Sequence, residues 1–155
     1  MAGGVSVLLK GNGDGTFVAT PPRESGLYIG GDAKSLTTVD LNGDGQLDFV
    51  AGVNDDHLAA FEQSPGTKKN LSIQLQGKNG NTLAAGARIN VKFDDGTNRS
   101  VEVTSGSGYL SQSSSLINIA VPSGIKGAAI EVRWPDGKTK KHNAANFDST
   151  VKIRQ

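Results

Sequence analysis

Residues 87–96 read ARINVKFDDG, and this stretch carries the pattern that recurs through much of the chain. Its apolar residues alternate with arginine, asparagine and lysine, so apolar side chains project from one face of an extended strand and polar ones from the other. The closing Asp-Asp-Gly has the chemistry of a tight turn. The stretch therefore predicts a strand of an antiparallel sheet with one buried face and one wet face.

The same alternation occurs on both sides of this strand. Its apolar members are Leu71, Ile73 and Leu75; Val101 and Val103; Ile117, Ile119 and Val121; Ile130, Val132 and Trp134; and Val151 and Ile153. A second turn is expected where residues 135–137 read Pro-Asp-Gly. Several such strands are enough to close a core, so this part of the chain is predicted to be an antiparallel β-sandwich or a small barrel.

Composition supports an all-β chain and excludes several kinds of protein. The 155 residues include 21 glycines and no cysteine, and the formal net charge is +1. Each interior glycine costs a helix about 1 kcal/mol relative to alanine, so long helices are not expected. The near-neutral charge gives no reason to expect nucleic acid as a partner. No apolar run reaches the roughly 18 residues of a membrane span, so no membrane insertion is expected.

The chain divides near a polar segment that contains proline and glycine. Residues 65–69 read PGTKK and are predicted to link a first domain, residues 1–64, to a second, residues 70–155. In the first domain, strands are expected around residues 27–30, 36–40, 47–53 and 58–61. The glycine-rich turn at residues 11–17 follows an alternating run that begins at Val5.

Residues 40–48 read DLNGDGQLD and have the spacing of a loop that wraps a hard cation. Calcium takes six to eight oxygen ligands, which such a loop supplies from alternate positions around a glycine turn. The predicted ligands are Asp40, Asn42, Asp44, Asp48 and the backbone carbonyl of Gln46. An EF-hand would require a later glutamate and flanking helices, whereas position 51 is alanine and the flanks read as strands. The alternative is an Asx-rich turn that binds nothing.

Both domains resemble known families. Residues 5–17 and 39–51, VSVLLKGNGDGTF and VDLNGDGQLDFVA, resemble the VCBS and FG-GAP repeats that form blades of extracellular β-propellers. Residues 86–91, 106–112 and 130–137, which read GARINV, GSGYLSQ and IEVRWPDG, resemble the ASPIC/UnbV domain. The resemblance implies a propeller-blade-like antiparallel unit with a calcium loop, followed by the β-sandwich or barrel. It places the cation ligands on the same five residues of the loop and implies no catalytic residue.

The expected function is a non-enzymatic, calcium-binding interaction or adhesion module at the cell surface or outside the cell, with a protein or glycan ligand. Ser107 lies between glycines but lacks the spacing of a nucleophile elbow, which argues against a hydrolase. The alternative is a glycan-binding module, for which Tyr109 and Trp134 would form the ligand face. A third idea is an internal lysine-to-asparagine crosslink, because Lys92 and Glu102 lie on polar faces of neighbouring strands.

A single blade does not bury its own apolar surface. Propellers are rings of about four to eight blades, each packed on its neighbours, and the first domain amounts to one. The residues that need a partner surface are Val5, Val7, Leu9, Phe49, Val53 and Phe61. The chain is therefore expected to be a monomeric piece of a larger extracellular protein, with the blade packed on the second domain. The alternative is that identical chains supply the missing neighbours.

Overall fold

A computed structural model describes residues 4–64, 69–78, 80–145 and 147–155. This part of the chain is nearly all β, as predicted, and most of the predicted linker lies outside it. Its elements are the strands β1 (Leu8–Gly11), β2 (Phe17–Thr20), β3 (Ala33–Val39), β4 (Asp48–Val53), β5 (Ala59–Phe61), β6 (Asn70–Gln76), β7 (Arg88–Phe93), β8 (Asn98–Glu102), β9 (Leu116–Ala120), β10 (Ala128–Arg133), β11 (Thr139–Ala144) and β12 (Val151–Arg154), and a one-turn helix, α1 (Pro22–Ser25).

The first half contains a two-stranded hairpin, β1-β2, and an antiparallel three-stranded sheet in the order β3-β4-β5. The strand predicted around residues 27–30 is wrong, because no strand forms there. The preceding residues form α1 instead, since proline is tolerated in the first turn of a helix. Gly26, at φ 71°, takes the left-handed conformation that ends α1.

The second half is a sandwich of two sheets that do not close into a barrel. One sheet has the order β11-β10-β7-β8, and the other has the order β12-β6-β9. All pairs are antiparallel except β12 with β6, which are parallel. Alternate residues of the strands meet between the sheets in an apolar core, whose most buried members include Leu71, Ile73, Ile89, Val91, Phe93, Ile130 and Val132.

Polar contacts join the first half to the second. The outer edge of β3 is covered by residues 112–114, where the Ser114 N–H donates to the Thr38 carbonyl at 2.8 Å. The Thr38 N–H in turn donates to Ser113 Oγ at 3.2 Å, and the Thr37 hydroxyl donates to the Gln112 carbonyl at 2.8 Å. Residues 112–114 thus lie along the edge of β3 and are held there by one backbone–backbone hydrogen bond and two that involve a side chain.

The apolar side chains in β1 and in the residues just before it do not take part in this junction. Val5, Val7 and Leu9 are each more than half exposed, and the apolar core cluster of the described residues is formed by residues 71–153 alone. The expectation that these three side chains pack on the second domain is therefore wrong for the described part of the chain. The physical reason is that the second domain already fills its core from its own two sheets.

The pairing of β7 with β8 bears on the suggested crosslink. Lys92 lies opposite Asn98, whereas Glu102 lies opposite Arg88, four residues away along β7. At about 3.4 Å per residue, Lys92 and Glu102 are separated by roughly 14 Å along the ladder. Glu102 instead approaches Arg88, with 3.9 Å between Oε2 and Nη2. The contact between Lys92 and Glu102 on which that idea depended is not formed.

Candidate calcium loop

The candidate calcium loop, residues 40–47, connects β3 to β4. The two strands close it at its base, where Val39 pairs with Asp48. Gly43 and Gly45 have φ values of 80° and 81°, a region that glycine enters without the steric cost borne by other residues. These two residues coil the chain tightly between the strands.

The side chains of the loop turn inward onto its backbone. Asp40 Oδ1 accepts the N–H groups of Gly43 at 2.8 Å and of Asp44 at 3.1 Å, and Asp40 Oδ2 accepts that of Gly45 at 2.9 Å. Asn42 Oδ1 also accepts the Asp44 N–H, at 3.0 Å. Asp44 Oδ1 accepts the Gln46 N–H at 2.8 Å. The predicted ligand side chains are therefore held by the loop itself, as in an Asx-rich turn. Asp40 Oδ1 already accepts two N–H groups, whereas Asp40 Oδ2 and Asp44 Oδ1 accept one each and keep a further lone pair for another partner.

Asp48, the last predicted ligand, is fully buried. Its Oδ2 accepts the Leu41 N–H at 2.9 Å, and its Oδ1 accepts the Gln63 N–H at 2.8 Å. It therefore ties the start of the loop to the segment after β5. A buried carboxylate is costly unless it is well compensated, and two neutral N–H donors compensate its charge only in part.

Glu62 is a neighbour of the loop that local spacing did not indicate. Its Oε1 accepts a hydrogen bond from Asn42 Nδ2 at 2.7 Å. It reaches the loop because β5 pairs with β4, which places the end of β5 beside the base of the loop. The only signal in the sequence was that an acidic residue follows a predicted strand.

Negative charge accumulates here without a matching cation from the protein. Among the described residues, no lysine, arginine or histidine forms an ion pair with Asp40, Asp44, Asp48 or Glu62. The donor set consists of carboxylate, amide and carbonyl oxygens, the chemistry that suits a hard cation such as Ca²⁺ rather than Zn²⁺. As placed, the described acidic and histidine side chains do not converge into a group of three or more that could hold a metal ion.

The loop also contacts the second half of the chain through one carbonyl. The Gly45 carbonyl lies 2.9 Å from Ser72 Oγ and 3.1 Å from Asn118 Nδ2. Ser72 and Asn118 are register partners on β6 and β9, and Ser72 Oγ lies 2.8 Å from Asn118 Oδ1. We call these three residues the clasp. Ser72 is only 6% exposed, because the loop covers this part of the sheet.

A polar cleft of about 340 Å³ lies beside the clasp. The loop forms one wall with Asp44 and Gln46, and the second half forms the other with Asn70, Ser72 and residues 147–150. Asp44 therefore faces both its own loop and the cleft between the two halves. Asp44 and Gln46 thus belong to the junction as well as to the loop.

The two aromatic residues of the suggested ligand face are separated by the structure. Trp134 is 3% exposed and belongs to the sandwich core, so it is not available to a ligand. Tyr109 is 74% exposed and Leu110 is 75% exposed, at the tip of a tight turn closed by a bridge between Gly108 and Ser111. Leu110 has φ 49°, a left-handed conformation that is uncommon for leucine. A ligand face that uses both Tyr109 and Trp134 is therefore wrong.

Comparison with known families matches both halves of the chain. The model for ASPIC and UnbV matches residues 77–155, just over half of the chain. The chain belongs to the ASPIC and UnbV family. A model for an FG-GAP-like repeat matches residues 2–51, a range that includes the candidate calcium loop up to the middle of β4. No curated protein matches the chain.

The ASPIC and UnbV match begins just after β6, although β6 is the central strand of the three-stranded sheet. The combination of an FG-GAP-like repeat with an ASPIC and UnbV domain indicates an extracellular, adhesion-type β-domain. FG-GAP repeats are typical of extracellular or surface proteins. Within the described residues, no helix has the length and apolar character needed to cross a membrane.

Proposed function

We propose that this chain is a calcium-binding interaction module of an extracellular or surface protein and that it performs no catalysis. The observation that carries the proposal is the set of acidic groups around residues 40–48 that lack an ion pair within the described chain. Asp48 is buried there, and its hydrogen-bond donors among the described residues are two backbone N–H groups. A divalent cation would compensate this charge, and the oxygen donors of the loop are those that calcium prefers.

The position of the loop suggests what the ion would do. The candidate calcium loop is joined to the sandwich through the Gly45 carbonyl, so an ion bound to Asp44 and the Gln46 carbonyl would order the residues on both sides of this contact. Ordering the loop would fix how the FG-GAP-like half is presented relative to the sandwich. The exposed turn at Tyr109 and Leu110 is the candidate contact for a protein partner, because tyrosine is enriched among the residues that carry most of the binding energy of such interfaces.

Isothermal titration calorimetry with calcium tests the proposal. We expect one site with a dissociation constant on the order of micromolar to millimolar, as in other extracellular modules. Calcium at 100 times that constant is expected to stabilise the fold by about 2.7 kcal/mol, which thermal denaturation with and without EDTA will detect. Magnesium is expected to bind more weakly, because it demands a tighter octahedral shell.

Two matched variants locate the site. Asp44→Ala removes one predicted ligand and is expected to abolish measurable calcium binding. Asp14→Ala removes the same charge from a similar glycine-rich turn, where the carboxylate already accepts hydrogen bonds from the N–H and the hydroxyl of Thr16. Calcium binding by this control is expected to match that of the wild type. If the wild type takes up no calcium, or if both variants lose binding equally, the assignment of the ion to residues 40–48 fails.

A further inference from the structure

The outer face of the sheet β11-β10-β7-β8 carries an ordered array of polar side chains. Register places the outward residues in rows that cross all four strands. One row, from β8 to β11, consists of Asn98, Lys92, Ala129 and Asn143, and the next consists of Ser100, Asn90, Glu131 and Lys141. Neighbours within a row are about 4.8 Å apart and successive rows about 7 Å apart, so these groups form a regular grid.

Three asparagines in this grid are unusual for strand positions. Asparagine is depleted in strands, where it neither packs well nor satisfies its own amide. Asn90, Asn98 and Asn143 are exposed, and within the described residues their side chains make no hydrogen bond. Asparagines in the turns do make such bonds, as Asn81 does with Ala85. Local structure therefore explains the turn asparagines but leaves three strand amides with open donors and acceptors.

A small residue makes this face concave. Ala129 lies between Lys92 and Asn143 in its row, and its short side chain forms the floor of a depression of about 290 Å³. The polar residues that line it are Asn90, Lys92, Asn98, Glu131, Lys141, His142 and Asn143. The volume is just below the roughly 300–1,000 Å³ typical of small-ligand sites, which suits one or two sugar rings better than a folded partner.

The face also carries excess positive charge. Its outward residues include four basic groups, Arg88, Lys92, Arg133 and Lys141, and two acidic groups, Glu102 and Glu131. Glu102 approaches Arg88 at 3.9 Å and Glu131 approaches Lys141 at 3.6 Å, which leaves Lys92 and Arg133 without an ion pair among the described residues. The face therefore carries a net charge of +2, whereas the whole chain carries only +1.

We propose that this face binds an acidic polysaccharide. The amides of Asn90, Asn98 and Asn143 would exchange hydrogen bonds with sugar hydroxyls, because an amide both donates and accepts. The ammonium of Lys92 would hold the anionic substituent, a carboxylate or a sulfate. This site lies on the sandwich and uses no residue of the candidate calcium loop.

Binding of the full chain to immobilised polysaccharides, measured by biolayer interferometry, tests the proposal. Alginate presents carboxylates, chondroitin sulfate also presents sulfates, and dextran has the hydroxyls without the charge. EDTA is kept in all buffers, because acidic polysaccharides chelate calcium and would otherwise report on the loop. We expect binding to at least one acidic polymer, weakening as salt is raised, and no binding to dextran. The stronger of the two acidic polymers identifies the anionic group.

Variants separate a specific site from general attraction. Lys92→Gln and Asn143→Ala are each expected to weaken binding by about 5- to 10-fold, the loss of about 1–1.4 kcal/mol for one hydrogen-bonded group. Lys152→Gln makes the same charge change on β12 of the other sheet and is expected to bind within twofold of the wild type. No binding to either acidic polymer overturns the proposal, as does an equal loss in the Lys152 and Lys92 variants. An unchanged Asn143→Ala variant, folded by circular dichroism, shows that charge alone acts and also overturns it.

Discussion

Removing both donors of the clasp is expected to cost more than the two single changes together. Ser72 carries one hydroxyl proton but lies within reach of two acceptors, the Gly45 carbonyl at 2.9 Å and Asn118 Oδ1 at 2.8 Å. Asn118 Nδ2 reaches the same carbonyl at 3.1 Å. Either residue alone can therefore still satisfy the Gly45 carbonyl when the other is replaced.

The expected loss in the free energy of unfolding follows from this redundancy. Ser72→Ala and Asn118→Ala each remove one hydrogen bond while the carbonyl keeps a donor, so each is expected to lower the free energy of unfolding by about 0.5–1.5 kcal/mol. The double variant leaves a partly buried carbonyl without a protein donor, which adds a penalty of about 1–3 kcal/mol. The double-mutant cycle formed by the wild type, the two single variants and the double variant should therefore show a coupling free energy of at least about 1 kcal/mol. This lies within the range found for residues in one hydrogen-bond network.

Urea denaturation of the full chain in EDTA measures the four free energies of the cycle. Ser100→Ala is the matched control, because Ser100 is an exposed strand serine on the outer face of the other sheet, and it is expected to change stability by less than about 0.5 kcal/mol. Calcium titration of the same four proteins gives a second readout, since a loosened loop must be ordered when the ion binds. If the double variant loses only as much free energy of unfolding as the two single variants together, water donates to the Gly45 carbonyl in their place. The clasp then does not couple the halves.

Three further outcomes are expected. Gly45→Ala places a side chain at φ 81°, so it should lower the free energy of unfolding by about 1 kcal/mol and the melting temperature with it. The variant should also bind calcium more weakly in isothermal titration calorimetry. The single tryptophan, Trp134, should emit at short wavelength and resist quenching by acrylamide, because it is 3% exposed; efficient quenching would contradict its place in the core. The backbone N–H of Lys138 holds the pKa of Asp136 below the ordinary aspartate value. The ionised carboxylate should therefore stabilise the fold at pH values above the ordinary aspartate pKa, and this contribution should be lost as the pH falls through the lowered pKa. An NMR titration of Asp136 will follow the change.

The sandwich was largely predictable because its strands are half buried. Alternation with a period of two marks which residues face the core, and the residues expected to face inward on β7 and β10 are the buried ones. The parallel pairing of β12 with β6 was not predictable, since alternation indicates a face and says nothing about the direction of the neighbouring strand. The missed helix α1 is one turn long, too short to produce a periodic signal.

The candidate calcium loop, too, was predictable from the sequence only in part. The spacing of Asp40, Asn42 and Asp44 indicated inward side chains around a glycine turn, and the structure turns them inward onto the backbone. The approach of Glu62 and the burial of Asp48 depend on the pairing of β4 with β5, which joins residues far apart in sequence. Whether an ion takes the remaining lone pairs stays a prediction.

By itself, the sequence determined the all-β class, the inward faces of the sandwich strands and the position of the glycine-rich loop, because each depends on residues a few positions apart. Only the tertiary structure decided which surfaces remain open. It buried Trp134 and exposed Tyr109, closed the Gly45 carbonyl onto β6 and β9, and brought three strand asparagines onto one face. These outcomes depend on strand order and register, which arise when distant segments compete to bury the same apolar surface.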